Sequence, residues 1–121
     1  MPDVQPTVSI VMPAYNVARY VEATARSVLA QSWGDFELIA VDDGSSDGTR
    51  AALRALASDW PEGRGRLRLI EQENAGAAAA RNAGLDAARG RFVAFLDADD
   101  LWRPELLATL IAELRARPEI D

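Results

Sequence analysis

The chain has 121 residues, 49% of them hydrophobic, which is enough for the core of one compact domain and leaves little room for a second. Nineteen acidic residues against thirteen scattered basic ones give a net charge of −6, so no basic face exists for a nucleic-acid backbone and nucleic acid is not an expected partner. Cysteine, histidine and lysine are all absent, which removes disulfides, thiolate nucleophiles, zinc centres of the usual kind, serine–histidine relays and Schiff-base lysines, so any metal must be held by oxygen.

The opening "MPDVQPTVSIVMP" lacks a basic flank and a long apolar run, so it reads as neither signal peptide nor membrane span, and the cytoplasm is the expected compartment. "TVSIVMP" from Thr7 predicts a buried first strand, broken at Pro13. "VARYVEATARSVLAQS" predicts a helix with Val17, Tyr20, Val21, Val28 and Leu29 on its apolar face. Phe36 to Val41 repeats the strand, "DDGSSDG" turns, and a second helix runs from about Thr49 to Ser58 with Leu53, Leu56 and Ala57 inward. The more polar run Leu67 to Glu71 predicts a third strand nearer an edge. "GAAAARNAGLDAA" predicts a third helix ended by Gly90, Arg91 to Leu96 a fourth strand, and a last helix starts near Pro104 with Leu106, Leu107, Leu110, Ile111 and Leu114 inward. Trp33, Trp60 and Trp102 are assigned to core or interface.

Four strand–helix alternations predict an α/β fold, a parallel sheet of about four strands with helices on both faces. In such sheets ligands bind beyond the carboxyl ends of the strands. The polar motifs fall there: "PAYN", "DDGSSDG", "ENAG" and "DADD" follow strands one to four. Asp97, Asp99 and Asp100 crowd three like charges into four positions, which costs stability unless water or a cation screens them. Oxygen ligands of this kind suit Mg²⁺ or Mn²⁺ completed by a diphosphate, whereas the plainer alternative is helix capping or solvent exposure. One cap needs only one carboxylate.

"VDDGSSDGT" fails as a calcium loop, because twelve positions from Asp42 or Asp43 lead to Leu53 or Arg54 where a glutamate is needed. As a turn it is sound: Gly44 and Gly48 give a permissive backbone, and Ser45, Ser46 or Asp47 can cap the next helix. Asp42 and Asp43 exceed what a cap requires and can accept hydrogen bonds from a base or ribose. Gly76 suits close approach by an anion at a helix start, with Arg81 about one and a half turns on, though small alanines packing on the sheet and an ion pair from Arg81 to an aspartate explain the same residues. Tyr15 is either core or a platform for a base.

Taken together, "VSIVMPAYN", "QSWGDFELIAVDDGSSDGT" and "ENAGAAAARNAGLDAARGRFVAFLDADDLW" resemble the nucleotide-binding half of a family 2 inverting glycosyltransferase of the GT-A fold. The resemblance implies transfer of a sugar from a nucleotide-diphosphate donor, a UDP-sugar above others. It assigns Asp97 and Asp99 to a divalent metal in a DXD motif, with Asp100 as an alternate ligand and Ala98 between them. It places Pro13, Ala14, Tyr15, Asn16, Asp42 and Asp43 at the nucleoside, Asp43 at the base and Tyr15 stacked on it, and Arg81 near the diphosphate. Family members continue into an acceptor-binding half that carries the catalytic carboxylate. Residues 1–121 are therefore expected to form a single donor-binding domain, truncated before that half. Its catalytic base is expected beyond Asp121, and the segment alone is expected to be inactive. The acceptor, a glycan or lipid-linked glycan, is left open, with peripheral attachment at the inner membrane face and a homodimer through an open sheet edge as further expectations.

Two other enzyme classes fit less well. A phosphotransferase of the haloacid dehalogenase type places "DxDxT" near its N-terminus, whereas Leu101 holds the last place here and three strands precede the motif. Nucleotidyltransferases of similar fold carry a glycine-rich loop and a basic residue after the first strand, and "PAYNVARY" has neither glycine nor lysine there. A non-catalytic nucleotide-sugar-binding or interaction module is the remaining alternative.

Overall fold

The structure, a computed structural model, describes residues 5–116. Its elements are β1 (Val8–Ala14), α1 (Val21–Leu29), β2 (Phe36–Asp43), α2 (Thr49–Asp59), β3 (Arg66–Gln72), α3 (Ala77–Ala87), β4 (Phe92–Phe95) and α4 (Leu106–Ala116). All pairings are parallel and the strand order is β3-β2-β1-β4. Val8 is level with Phe36 on one side and with Phe92 on the other.

Alternation along the strands sorts the two layers. Ile10, Met12, Leu38 and Ala40 point to one face, where Val21, Ala25 and Val28 of α1, Leu53 of α2 and Leu107 and Ile111 of α4 complete the main core. Ile39 and Val41 point to the other face and meet Ala80 of α3. The alanines of α3 let it lie close: a Cβ on Gly84 would stand 2.4 Å from Val11 Cγ1. From β1 to β3 the chain steps one way with α1 and α2 on one face. It then returns past β1 to β4 with α3 on the opposite face, which keeps the crossovers one hand. The direction reverses between β1 and β4, and their carboxyl ends flank a topological switch point.

The strands stand close to their expected bounds and β3 is an edge strand as its polarity implies, but β1 is not broken at Pro13: it runs on to Ala14, with Pro13 in register with Val41 of β2. Three helix expectations need correction. The helix expected from Val17 begins only at Val21, because residues 17–20 form a turn tied down by a 2.8 Å hydrogen bond from Val17 N to Thr49 Oγ1; Tyr20 is exposed rather than on the apolar face. α3 ends at Ala87 and not at Gly90, because its last backbone groups have side-chain partners in the sheet. Ala87 O accepts from Arg68, and the Arg89 and Gly90 amides donate to Glu37 and Ser9 at 2.7 Å each. In α4, Leu110 is 40% exposed while Leu107 and Ile111 carry the burial. The three tryptophans are half-buried against the core as assigned; Trp60 meets Phe36 edge-on with ring centroids 6.4 Å apart.

Among the described residues no helix is long and apolar enough to cross a membrane.

Candidate functional site

The carboxyl ends of β1, β2 and β4 and the start of α3 form one rim, and two side chains knit it. Asn16, just past β1, adopts a left-handed φ of 51°, which asparagine tolerates better than most residues. Its amide oxygen accepts from Ser46 N at 2.9 Å and Asp47 N at 3.3 Å, and its own N–H donates to Ser45 Oγ at 3.0 Å, so it fastens the β1 loop to the β2 loop. Asp47, one residue before the N-cap Gly48, accepts from Thr49 N at 2.9 Å and so satisfies the first amide of α2, the one of the three expected capping residues that does. The Thr49 hydroxyl and amide beside it hold the Asp47 carboxyl below the usual carboxylate range.

Asp43 is the second hub. One oxygen accepts from Gln72 Nε2 at 2.9 Å and Ala75 N at 2.8 Å, the other from Asn74 Nδ2 at 3.1 Å and Gly76 N at 3.0 Å. Burial alone would raise its pKa; the Gln72 amide and the Ala75 and Gly76 backbone N–H groups outweigh burial and hold it below the ordinary value. The anion at the start of α3, expected from Gly76 to be a ligand, is thus the carboxylate of Asp43. Gly44 makes the close approach possible, since at φ 72° a Cβ there would stand 2.5 Å from Asn74 N.

Asp42 departs from expectation. Strand alternation turns it to the face opposite Asp43, where it is fully buried with Oδ2 2.6 Å from Arg50 Nε. Its Oδ1 has no hydrogen-bond partner.

Asp97, Asp99 and Asp100 lie on the turn after β4, exposed, with carboxylate oxygens within 4.8 Å of one another. They cap no helix, because α4 begins at Leu106. The turn closes through Asp100 N to Asp97 O at 3.0 Å. It is anchored to α1, where Thr24 Oγ1 donates to Ala98 O at 2.9 Å and Ser27 Oγ accepts from Trp102 N at 3.2 Å. Ala98 itself is buried, so the carboxylates project from a fixed turn. An all-oxygen set this close fits a hard divalent cation. Across the switch point stand Pro13, half-buried, Ala14, buried, and Tyr15, a residue 50% exposed and therefore not core. Arg81 is exposed on α3, and its expected ion pair with an aspartate is not formed with any described residue.

The sequence reading missed two buried polar centres. Glu37 is held by Ser9 Oγ at 2.6 Å and Arg68 at 2.8 Å besides the Arg89 amide, and Gln31 accepts from Leu107 N at 3.0 Å while donating to Arg103 O at 2.7 Å. A charged residue inside an otherwise apolar strand was the available signal for Glu37; Gln31, in a loop, offered none.

The model for "Glycosyl transferase family 2" matches residues 9–120. The chain belongs to that family. It is 45% identical over 96 residues to the UDP-Glc:alpha-D-GlcNAc-diphosphoundecaprenol beta-1,3-glucosyltransferase WfgD of Escherichia coli, covering 78% of this chain and 36% of that protein. Among solved structures it resembles the mannosyltransferase PcManGT of Pyrobaculum calidifontis in complex with GDP-Man and Mn²⁺. There the TM-score is 0.82 and the identity 34%, over 93% of this chain and 33% of that one. It also resembles S. aureus TarS 1-349 in complex with UDP, with a TM-score of 0.80 and 28% identity over 91% of this chain and 32% of that one. The fold is that of GT-A glycosyltransferases. The chain spans 31–40% of the length of the curated relatives first matched.

Proposed function

We propose that this family 2 glycosyltransferase chain is the donor-binding part of an enzyme that transfers a sugar from a nucleotide-diphosphate donor, a UDP-sugar above others. The observation that carries the reading is the fixed turn after β4 with three exposed carboxylates within 4.8 Å, facing β1 across the switch point. Asp97 and Asp99, with Asp100 as alternate, would hold Mn²⁺ or Mg²⁺, which supplies positive charge to the departing diphosphate. Tyr15 stacks on the base, and Pro13, Ala14 and Asn16 set the loop that presents it. Asp43 lines the base end; a base N–H reaching its carboxylate would take the place of the Asn74 amide, the longest of its four contacts. Arg81, exposed and without an ion pair among the described residues, can turn to the diphosphate.

UDP is favoured because one relative is named for UDP-Glc and one neighbour holds UDP, while another holds GDP-Man. The lipid-linked acceptor in that relative's name supports an acceptor of the same class and attachment at the cytoplasmic face of a membrane. Because this chain spans about a third of its relatives' length, we assign the acceptor site and the base that activates its hydroxyl to residues outside it, and expect binding without transfer.

Calorimetric titration with UDP, GDP and dTDP, with Mn²⁺ and then with chelator, tests the donor site. Binding that requires the metal and vanishes in Asp99→Ala supports it. A folded chain that binds none of the three, or binds equally in chelator, overturns it. Sugar transfer by the 121 residues alone, abolished by Asp99→Ala, would show that the base lies within them.

A further inference from the structure

Between β4 and the start of α4 at Leu106 the chain has no regular structure, so its buried backbone groups must find partners elsewhere. Three side chains of α1 and the loop just past it supply them. Thr24 Oγ1 donates to Ala98 O at 2.9 Å, and Ser27 Oγ accepts from Trp102 N at 3.2 Å while giving its own proton to Thr24 O at 2.7 Å. Gln31 Nε2 donates to Arg103 O at 2.7 Å, and its Oε1 accepts from Leu107 N at 3.0 Å. Each backbone group meets the polarity it needs. Thr24, Ser27 and Gln31 follow one another at about one helical turn, a polar column beside the apolar one of Val21, Ala25 and Val28. Thr24 and Gln31 are buried, where a polar side chain is costly unless it is bonded.

The carboxylates of the turn hang from anchors on two different layers. Asp97 follows Leu96, whose amide donates to Val11 O of β1 at 3.0 Å. Asp99 and Asp100 lie between Ala98 and Trp102, both tied to α1. The spacing of Asp97 from Asp99 is thus set by where Thr24 holds Ala98 relative to β1. We infer that Thr24 is a positioning residue for the divalent cation proposed at Asp97 and Asp99, with Ser27 and Gln31 fixing the far side of the same turn; this rests on the donor-site reading. Three like charges push the turn open. Without the Thr24 hydroxyl, Ala98 O is a buried acceptor lacking its donor, and the turn relaxes toward water. A cation must then order the turn as it binds, so its affinity falls although no ligand atom has changed.

Two variants separate positioning from packing. Thr24→Val keeps the shape and removes the donor, whereas Thr24→Ser keeps the donor and removes a buried methyl; both are expected to lower the urea midpoint. Mn²⁺ alone is titrated into the 121-residue chain and followed by paramagnetic broadening of the amide signals of residues 97–100. Amide exchange at Asp100 and Trp102 is read without metal. Thr24→Val is expected to raise the Mn²⁺ dissociation constant about tenfold or more and to speed both exchanges, with Thr24→Ser close to the parent. Ser27→Ala, at a half-buried site, is expected to move both readouts the same way and serves if Thr24→Val does not fold. Equal Mn²⁺ affinity in the parent and Thr24→Val, or equal weakening in Thr24→Val and Thr24→Ser, overturns this inference and leaves the donor site standing. Unchanged exchange at Asp100 and Trp102 in Thr24→Val overturns it as well. A parent chain whose residues 97–100 are not broadened by Mn²⁺ overturns the donor reading, and this inference with it.

Discussion

Replacing Asp43 by asparagine changes no volume and removes a single charge, yet the structure assigns it a large cost. The carboxylate receives four hydrogen bonds, two on each oxygen. Asparagine keeps one acceptor oxygen and turns an NH₂ toward the other pair of donors. The Gln72 and Asn74 amides can rotate to offer oxygen instead, but the Ala75 and Gly76 backbone N–H groups cannot, so one of them is left facing a donor. Hydrogen bonds to a charged acceptor contribute about 1.5–3 kcal/mol each. Two are lost or reversed. Residues 74–76 are exposed and regain part of the loss from water, so a net cost of about 2 kcal/mol at neutral pH is expected, a sizeable share of the 5–15 kcal/mol typical of domains.

The pH dependence gives an independent check. The folded pKa of Asp43 lies below its unfolded value, so its stabilisation is fully present above the unfolded pKa and is lost as pH falls through the folded one. Urea unfolding of wild type and Asp43→Asn should therefore differ fully near pH 6–7 and converge below about pH 4. Glu37, also lowered, keeps its own acid dependence in both chains. A difference under about 0.5 kcal/mol at pH 7, or a gap that does not narrow in acid, would refute Asp43 as the hub of the rim.

Gly84→Ala should destabilise by about 1–3 kcal/mol despite the gain in helix propensity, because its Cβ meets Val11 at 2.4 Å; Gly48→Ala, whose Cβ has 3.8 Å to its nearest neighbour, should change urea midpoints little. Asn16→Ala removes the acceptor for two amides and the residue best suited to its left-handed φ, and is expected to cost about 1–2 kcal/mol in the same assay. Tyr15→Ala, at a half-exposed site, should leave thermal stability unchanged while weakening UDP binding by about fivefold or more, the stacking contribution of one base. Unchanged affinity in that variant would remove Tyr15 from the donor site.

The layered fold was legible because its signals are repeated. Apolar strands such as "FELIAV" and the helical spacing of Val21 and Val28 each point to the same core, and errors at their ends do not propagate. The helix ends were less legible, because they are set by long-range polar contacts. No local pattern says that Thr49 will hold Val17 N or that Arg68 will take the last carbonyl of α3. At the rim, "DADD" announced itself as a cluster, and the structure keeps it together and exposed. In "DDGSSDG" both Asp42 and Asp43 were placed at the nucleoside, with Asp43 at the base. A strand's two-residue period separates them, Asp42 into the core beside Arg50 and Asp43 into the β3–α3 loop.

That separation bears on how the acidic rim divides its work. Asp42, Asp43 and Asp47 each have structural partners, and replacing any of them should cost stability whether or not a nucleotide binds. Asp97, Asp99 and Asp100 accept no hydrogen bond from a described side chain, although Ala98 between them is buried and tied to Thr24. The fold thus fixes the turn through its backbone and leaves its charges mutually repelling, a cost that only a screening cation or solvent relieves. Asp97→Asn with Asp99→Asn should accordingly hold or raise stability by up to about 0.5 kcal/mol in metal-free buffer and lose the stabilisation that Mn²⁺ gives the parent chain. If the double variant instead unfolds more easily without metal, these carboxylates are serving the fold, and the donor site must be sought elsewhere on the rim.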